Sequence, residues 1–281
     1  MNKIAWITDT AALLDKEFIQ KHHIHVLPLN IVFDDGAYRE TIDMTHVEFY
    51  SKLRNTKKHP KTSQPPIGEM IKLYENLKEQ GFSCAIAIHT SSYLSGTYNS
   101  SKTASEIANF KVYSIDSRIG SYPMIKMIEV GKSLADTGKP VEEVVAEIEK
   151  MTLNSELSFI PSSLTQLHKS GRVSGTAAFL SSLLNIKLVI SFDNGKVVMK
   201  EKVRATKRAK EYVTELLRRD IKLATVPEVA VINCNNEKDA KTWKEELIKE
   251  FPKLRVLVIP LSACVGVHAG EGTTGLSWVR Y

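Results

Sequence analysis

Up to about residue 153, short apolar runs alternate with longer stretches in which apolar residues recur every three or four positions. Residues 3–7 read as a strand that ends at Thr8-Asp9-Thr10, and 13–23 as a helix with Leu13, Leu14, Phe18 and Ile19 on one side. Residues 25–33 read as a second strand, closed by a turn at Asp34-Asp35-Gly36. Helices over 44–54 and 67–80 flank a polar loop, 55–66, rich in Lys and Pro. The run 84–88 is continuously apolar, as expected of a strand buried on both faces. A hydroxyl-rich stretch, 89–101, leads from it into a helix over 102–109. A fourth strand over 111–115 and helices over 124–137 and 141–153 follow. This alternation predicts a parallel sheet with helices on both faces, where ligands bind beyond the carboxyl ends of the strands. The polar runs 8–10, 62–64, 90–97 and 116–117 adjoin those ends and are expected to share one rim.

The pattern then changes. A strand over 157–161 precedes a helical stretch over 164–184, and strands 187–192 and 196–204 form a hairpin about Asp193-Asn194-Gly195. A basic helix over 206–219 follows, then strands 228–233 and 255–260 around a helix over 238–250. The change places a domain boundary near residue 156, giving α/β units over 1–156 and 157–281.

Composition narrows the function classes. The 281 residues are 43% hydrophobic and 25% charged, which is ordinary for a globular protein. The most apolar long stretch, 177–190, is broken by Ser181, Ser182, Asn185 and Lys187, and the start reads directly as a strand. The expected location is the cytoplasm. Cys84, Cys234 and Cys264 are far apart, and His22-His23-x-His25 has no acidic neighbours, so no metal site and no cofactor is expected. Residues 196–222 carry ten Lys/Arg against four carboxylates, a local +6 equal to the net charge of the whole chain. Such a segment meets nucleic acid, an anionic membrane or an acidic protein, or is simply a solvated helix face. Aromatics are absent from it apart from Tyr212, and it matches no nucleic-acid motif, so no nucleic-acid partner is expected.

Ser95-Gly96 sits where a strand end passes into a helix start, which favours anions through exposed amides and the helix dipole. The same hydroxyls also serve as ordinary helix caps. Taken singly, Thr62 reads as a turn hydroxyl near Pro65, His268 as a satisfied core histidine, and Arg172 as a salt-bridge residue. Gly270-x-Gly272-x-x-Gly275 matches a dinucleotide fingerprint in spelling, but no strand–turn–helix context accompanies it. No phosphate-binding lysine loop and no G-x-S-x-G elbow is present.

Seven separated segments together resemble one family. They are Thr8-Asp9-Thr10, Val26-Leu27-Pro28-Leu29, Thr62-Ser63-Gln64-Pro65, Ser91-Ser92-x-Leu94-Ser95-Gly96-Thr97-Tyr98, Ile115-Asp116-Ser117, Leu164-x-x-Leu167-x-x-x-Gly171-Arg172 and His268-x-Gly270-x-Gly272. In that order they resemble the DegV family of bacterial fatty acid-binding proteins, acyl-carrying subunits of a fatty acid kinase system. The resemblance implies a two-domain α/β fold, with an N-terminal three-layer parallel sheet and a C-terminal two-layer mixed sheet with helices. It implies a long-chain fatty acid held in a tunnel between or beside the domains, with no catalytic residue in this chain. Thr62, Ser95 with Gly96, Arg172 and His268 match the residues that hold the carboxylate. A separate ATP-dependent kinase then phosphorylates the carboxylate, and the acyl phosphate stays bound; transient membrane contact fits such a carrier. Arg204, Lys207 and Arg208 are the residues expected to dock the kinase. The alternative reading is a Ser95-dependent lipid hydrolase or acyl-transfer enzyme with His268 as base. Thr10, Pro66, Ser170 and Glu271 depart from the family pattern, as does Tyr122-Pro123.

Overall fold

The computed structural model describes residues 3–173 and 186–281. Strand β1 (Ile4–Asp9) runs through a single 3-10 turn into helix α1 (Lys16–His22) and strand β2 (Ile24–Leu27). The helix expected over 13–23 starts late because Leu13 takes a left-handed φ of 47° and Asp15 caps α1 by accepting the Phe18 amide. The strand expected over 25–33 breaks at Pro28, which has no N–H to give to a ladder. Strand β3 (Asn30–Phe33) leaves the first sheet to pair antiparallel with β4 (Gly36–Arg39). Helix α2 (His46–Asn55) opens with a reciprocal Thr45–Glu48 capping box. Strand β5 (Lys61–Ser63) lies inside the expected polar loop and pairs with β3. It has no apolar signal: two of its three residues are exposed.

Helix α3 (Ile67–Glu79), strand β6 (Cys84–His89), helix α4 (Thr97–Ala108) and strand β7 (Val112–Asp116) complete the first unit. Its sheet is all parallel, in the order β2-β1-β6-β7. All six residues of β6 are buried. Ala85 and Ala87 pack with Met70, Tyr74 and Ala104 of α3 and α4. Ile86 and Ile88 face the opposite core, which holds Met127 and Ile128 of helix α5 (Tyr122–Asp136). Helices therefore cover both faces.

Helix α6 (Val141–Asn154) passes directly into β8 (Ser155–Ile160), and helix α7 (Leu164–Lys169) follows. The helix expected over 164–184 ends at Lys169 because Gly171 takes a φ of 67° and Val173 bridges Val197; the part over 174–185 lies outside the described residues. Strands β9 (Lys187–Asp193) and β10 (Lys196–Val203) form the expected hairpin, with Asn194 and Gly195 both at positive φ. Helix α8 (Thr206–Leu223), β11 (Glu228–Asn233), α9 (Glu237–Glu250), β12 (Arg255–Pro260), α10 (Ala263–Ala269) and β13 (Thr274–Val279) complete the chain. The second sheet is mixed and six-stranded, in the order β10-β9-β8-β13-β11-β12, with only β11 and β12 parallel. One face packs under α8 and α9 through Val213, Leu217, Trp243 and Leu247. The other face, including Phe159, Ile190 and Ile232, shares one core with Ile88 and Met127 of the first unit. The run Gly270–Gly275, spelled like a nucleotide loop, leads into a strand and not a helix.

Candidate functional site

A cavity of about 640 Å³ has walls from both sheets. Ala11, Thr90, Gly120 and Ser121 follow strands of the parallel sheet, while Leu157, Phe159, Phe192 and Val197 belong to the mixed sheet. Its size is that of a small-molecule site, roughly 300–1,000 Å³. The apolar walls lead to a polar end where Thr62, Ser95, Gly96, Arg172 and His268 all line the space.

Ser262 caps α10 by accepting the Val265 amide at 3.3 Å, and the last turn of that helix carries His268. Thr62 reaches it from β5, with Thr62 Oγ1 and His268 Nε2 at 2.8 Å. Burial first, and then the charge of Arg172 and the neighbouring His59, lower the His268 pKa to about 3. The imidazole is therefore neutral near pH 7. Its Nδ1 is buried without a hydrogen-bond partner among the described residues. An unused acceptor is less costly than an unused N–H, so the favoured tautomer puts the hydrogen on Nε2, donating to Thr62. The Thr62 hydroxyl hydrogen is then free for a ligand.

Two further segments interlock at the start of α4. A Cβ added to Gly96 would lie 1.9 Å from Gln64 Oε1, so a larger residue there would have to displace the Gln64 side chain. Gln64 is held in place as its Nε2 donates to Ser100 Oγ at 2.5 Å and Asn30 Nδ2 donates to its carbonyl at 3.2 Å. Ser95 Oγ sits 2.7 Å from Thr97 Oγ1 and accepts the Thr97 amide at 3.3 Å, so it supports the helix start as well as lining the cavity. Arg172 is exposed, and donates from Nη1 to the Ser170 carbonyl at 2.7 Å and from Nε to the Leu94 carbonyl at 3.5 Å.

The model of the DegV family, described as "Uncharacterised protein, DegV family", matches residues 3–281. The chain belongs to the DegV family. Protein DegV of Bacillus subtilis is 36% identical over 280 residues, covering 98% of each chain. The solved structure of Bacillus subtilis DegV, described as a fatty acid binding protein, matches with TM-score 0.90 and 34% identity over 100% of both chains. A fatty acid binding DegV family protein from Streptococcus agalactiae matches with TM-score 0.93 and 26% identity, again over 100% of both.

The positions where this DegV protein departs from the family pattern have local explanations. Glu271 accepts from Arg54 Nη1 and Asn235 Nδ2, each at 2.5 Å, so its carboxylate is engaged by partners of its own. Ser170 stands before Gly171, donates to the Leu167 carbonyl at 2.6 Å and accepts the Arg172 amide at 3.2 Å. Thr10 keeps a hydroxyl, donating to Glu40 Oε2 at 2.6 Å and accepting the Leu29 amide at 3.1 Å. Pro66 precedes α3 and lends its carbonyl to the first helical amides. Tyr122 opens α5 and ties it to the mixed sheet by donating to Glu228 Oε1 at 2.9 Å, with Lys126 on the same oxygen at 2.8 Å.

The basic segment is less free than its sequence suggests. Lys210 pairs with Asp239, Arg219 and Arg280 with Asp220, and Arg218 with three glutamates. Arg204, Lys207 and Arg208 are exposed beyond the end of β10. Arg204 stands seven residues past the cavity-lining Val197, just after β10, and Lys207 and Arg208 lie in the first turn of α8. Among the described residues no group of three or more His, Cys, Asp or Glu side chains is placed to hold a metal. No helix of the described residues is long and apolar enough to cross a membrane.

Sequence reasoning missed a buried polar support under the site. Glu40 is 1% exposed and accepts from Thr10 and from the Cys264 amide, the latter at 3.2 Å. Burial pushes its carboxyl pKa up, against the pull of those hydrogen bonds. Cys264 itself lines the cavity, and its thiol is pushed well up by burial first and then by Glu40. Nothing in the pattern around Glu40 marks it: it follows an exposed arginine and precedes a turn.

Proposed function

We propose that this chain binds one long-chain fatty acid and presents its carboxylate to a separate ATP-dependent fatty acid kinase. The observation that carries this reading is a cavity whose apolar walls meet Thr62, Ser95, Gly96, Arg172 and His268 at one end. We take residues 1–156 and 157–281 as the two units on either side of the acyl chain. Each buried methylene contributes about 0.8 kcal/mol, so a tail burying about twelve supplies on the order of 10 kcal/mol. The tail sets affinity and the polar end sets position. A neutral His268 hydrogen-bonded to Thr62 leaves that hydroxyl to donate to the carboxylate, joined by Ser95, while Arg172 compensates the charge.

In the kinase step one carboxylate oxygen attacks the γ-phosphorus of ATP held by the partner, and ADP leaves. The acyl phosphate remains on this chain because the tail stays buried. This chain's contribution is to hold one oxygen and aim the other, since in-line transfer depends on orientation. The hydrolase reading is less favoured: Ser95 pairs with Thr97 and His268 with Thr62, so the described residues hold no Ser–His relay.

Native mass spectrometry of the purified protein is expected to show one fatty acid per chain. Protein that emerges lipid-free, and takes up no labelled fatty acid when offered it, overturns the reading. Thr62→Val and Ser95→Ala are each expected to weaken fatty acid binding about ten- to a hundredfold, the worth of one hydrogen bond to a charge. Arg172 is exposed, so Arg172→Ala is expected to cost less than Thr62→Val. Titration of both with a fluorescent fatty acid checks the order.

For the partner, Arg204, Lys207 and Arg208 form the proposed docking patch. Reversing Arg204 and Lys207 to Glu is expected to slow phosphoryl transfer and flatten its salt dependence while lipid occupancy stays unchanged. Equal transfer rates for wild type and the reversed protein at every salt concentration would remove the patch from the proposal.

A further inference from the structure

Three segments pass from the wall of the large cavity into the wall of a second, smaller cavity of about 190 Å³. After β7, Arg118 and Ile119 line the small cavity, and Gly120 and Ser121 the large one. On β8, Glu156 lines the small cavity and Leu157 the large one. On β9, Phe192 lines both, and among the described residues no other does. Phe192 is half-buried and packs against the same core as Leu157 and Phe159, which belong to the apolar walls of the large cavity. The small cavity is lined mainly by polar residues, with Arg118, Glu156, Asn194 and Arg280 among them.

Phe192 and His268 stand toward opposite ends of β8. Ser191 pairs with Ser158 in the antiparallel ladder, and Phe192 lies one residue nearer the start of β8. The end of α10 sits past the other end of that strand: the Ser162 amide donates to Thr273 Oγ1 at 3.1 Å, and that hydroxyl donates to the Ala269 carbonyl at 2.8 Å. An acyl chain with its carboxylate at Thr62 and His268, laid along the apolar walls of β8, therefore points its methyl end toward Phe192. Beyond Phe192 the lining turns polar, where further methylenes gain little.

We propose that Phe192 closes the acyl cavity, setting the longest chain it takes and confining it to chains with an apolar terminus. This rests on the carrier reading and deepens it by naming the substrate class: fatty acids up to the length that meets Phe192, without a polar group at the far end. Each buried methylene tightens binding about fourfold, and that gain stops where the chain reaches the ring. A terminal hydroxyl pressed against the ring gives up its water and finds no partner. Removing the ring joins the two spaces, and the polar lining of the smaller one then offers that hydroxyl hydrogen bonds.

The test titrates delipidated wild type, Phe192→Ala, Phe192→Leu and Phe159→Leu with saturated fatty acids of stepwise increasing length, and with an ω-hydroxy fatty acid. Wild-type affinity is expected to rise with each added carbon to an optimum and then to stop rising. A fatty acid two carbons longer than that optimum is expected to bind Phe192→Ala about tenfold more tightly than wild type. The penalty for a terminal hydroxyl at that length is expected to shrink about tenfold in the same variant. Phe192→Leu keeps an apolar side chain and is expected to gain about fourfold for a chain one carbon longer, which carries the test if the alanine variant is unfolded by circular dichroism. Phe159→Leu enlarges the large cavity away from the small one and is expected to leave the optimum length where it is. An optimum unchanged in the folded Phe192 variants overturns the inference, as does an equal shift in Phe159→Leu, and both leave the carrier reading standing. Wild-type protein that binds no fatty acid of any length overturns the carrier reading, and this inference with it.

Discussion

Delipidated protein taken from about pH 7.5 to about pH 5 is expected to lose roughly 2 kcal/mol of stability through His268 alone. Burial and the charge of Arg172 hold the folded pKa near 3, against 6.5 for an exposed histidine. Below 6.5 the unfolded chain takes up a proton that the folded chain refuses. The stability is therefore complete above pH 6.5 and is lost progressively as pH falls toward 3. His25 and His46 are also lowered by burial and add to the slope, so the comparison must be internal. Urea unfolding of wild type and His268→Gln across this range isolates the contribution, since the variant lacks that one proton. A bound carboxylate favours the imidazolium, so saturating fatty acid is expected to flatten the wild-type slope. Parallel slopes for wild type and His268→Gln would mean that His268 is not buried in a neutral state.

Gly275→Ala is expected to destabilise the fold by about 3 kcal/mol, at the upper end of what overpacking costs. Gly275 lies on β13, with β8 on one side and β11 on the other, aligned with Phe159 and Ile232. A Cβ there would lie 2.4 Å from the Ser158 carbonyl oxygen and 2.7 Å from Phe159 Cα. Both are backbone atoms of the neighbouring strand, so no rotamer change relieves the contact. Gly68→Ala provides the control: it lies in the first turn of α3 with nothing within 4 Å of its added Cβ, and is expected to be neutral or slightly stabilising. The check is the urea midpoint at constant denaturant slope. Midpoints that agree for the two variants would show that the β8–β13 pair can separate at little cost.

Gly275 also shows where sequence reading stops. Its spacing from Gly270 and Gly272 spells a nucleotide loop, yet what requires glycine there is the approach of Ser158, 117 positions earlier in the chain. Strand β13 and helix α10 lie in a Gly-rich run with too few periodic apolar residues to register as elements. Strand β5 is invisible for a related reason: three polar residues become a strand only because β3 offers them a free edge. Pro28, by contrast, was a local signal sufficient to end β2, and the expectation of one strand over 25–33 overrode it.

The site divides along the same line. Thr62, Ser95, Gly96, Arg172 and His268 were legible as residues because each lies in a short motif of the family pattern. Their meeting at one cavity was legible only through the family resemblance and not from local pattern, because the partners lie up to 206 positions apart, as Thr62 and His268 do. Gln64 was in view inside its motif, but its role against Gly96 and Ser100 depends on α4 packing over β5's exit. Glu40 carried no local mark, since what distinguishes it is burial against Thr10 and Cys264. By itself the sequence determined the elements with strong periodicity, the parallel sheet, the hairpin at Asn194-Gly195 and the family, because these rest on contacts between residues near in the chain or on repeated apolar spacing. Tertiary structure alone decided which hydroxyl meets which imidazole, which charges stay unpaired and how far burial shifts a proton. Those quantities depend on dielectric and distance between segments, and neither is written in the order of residues.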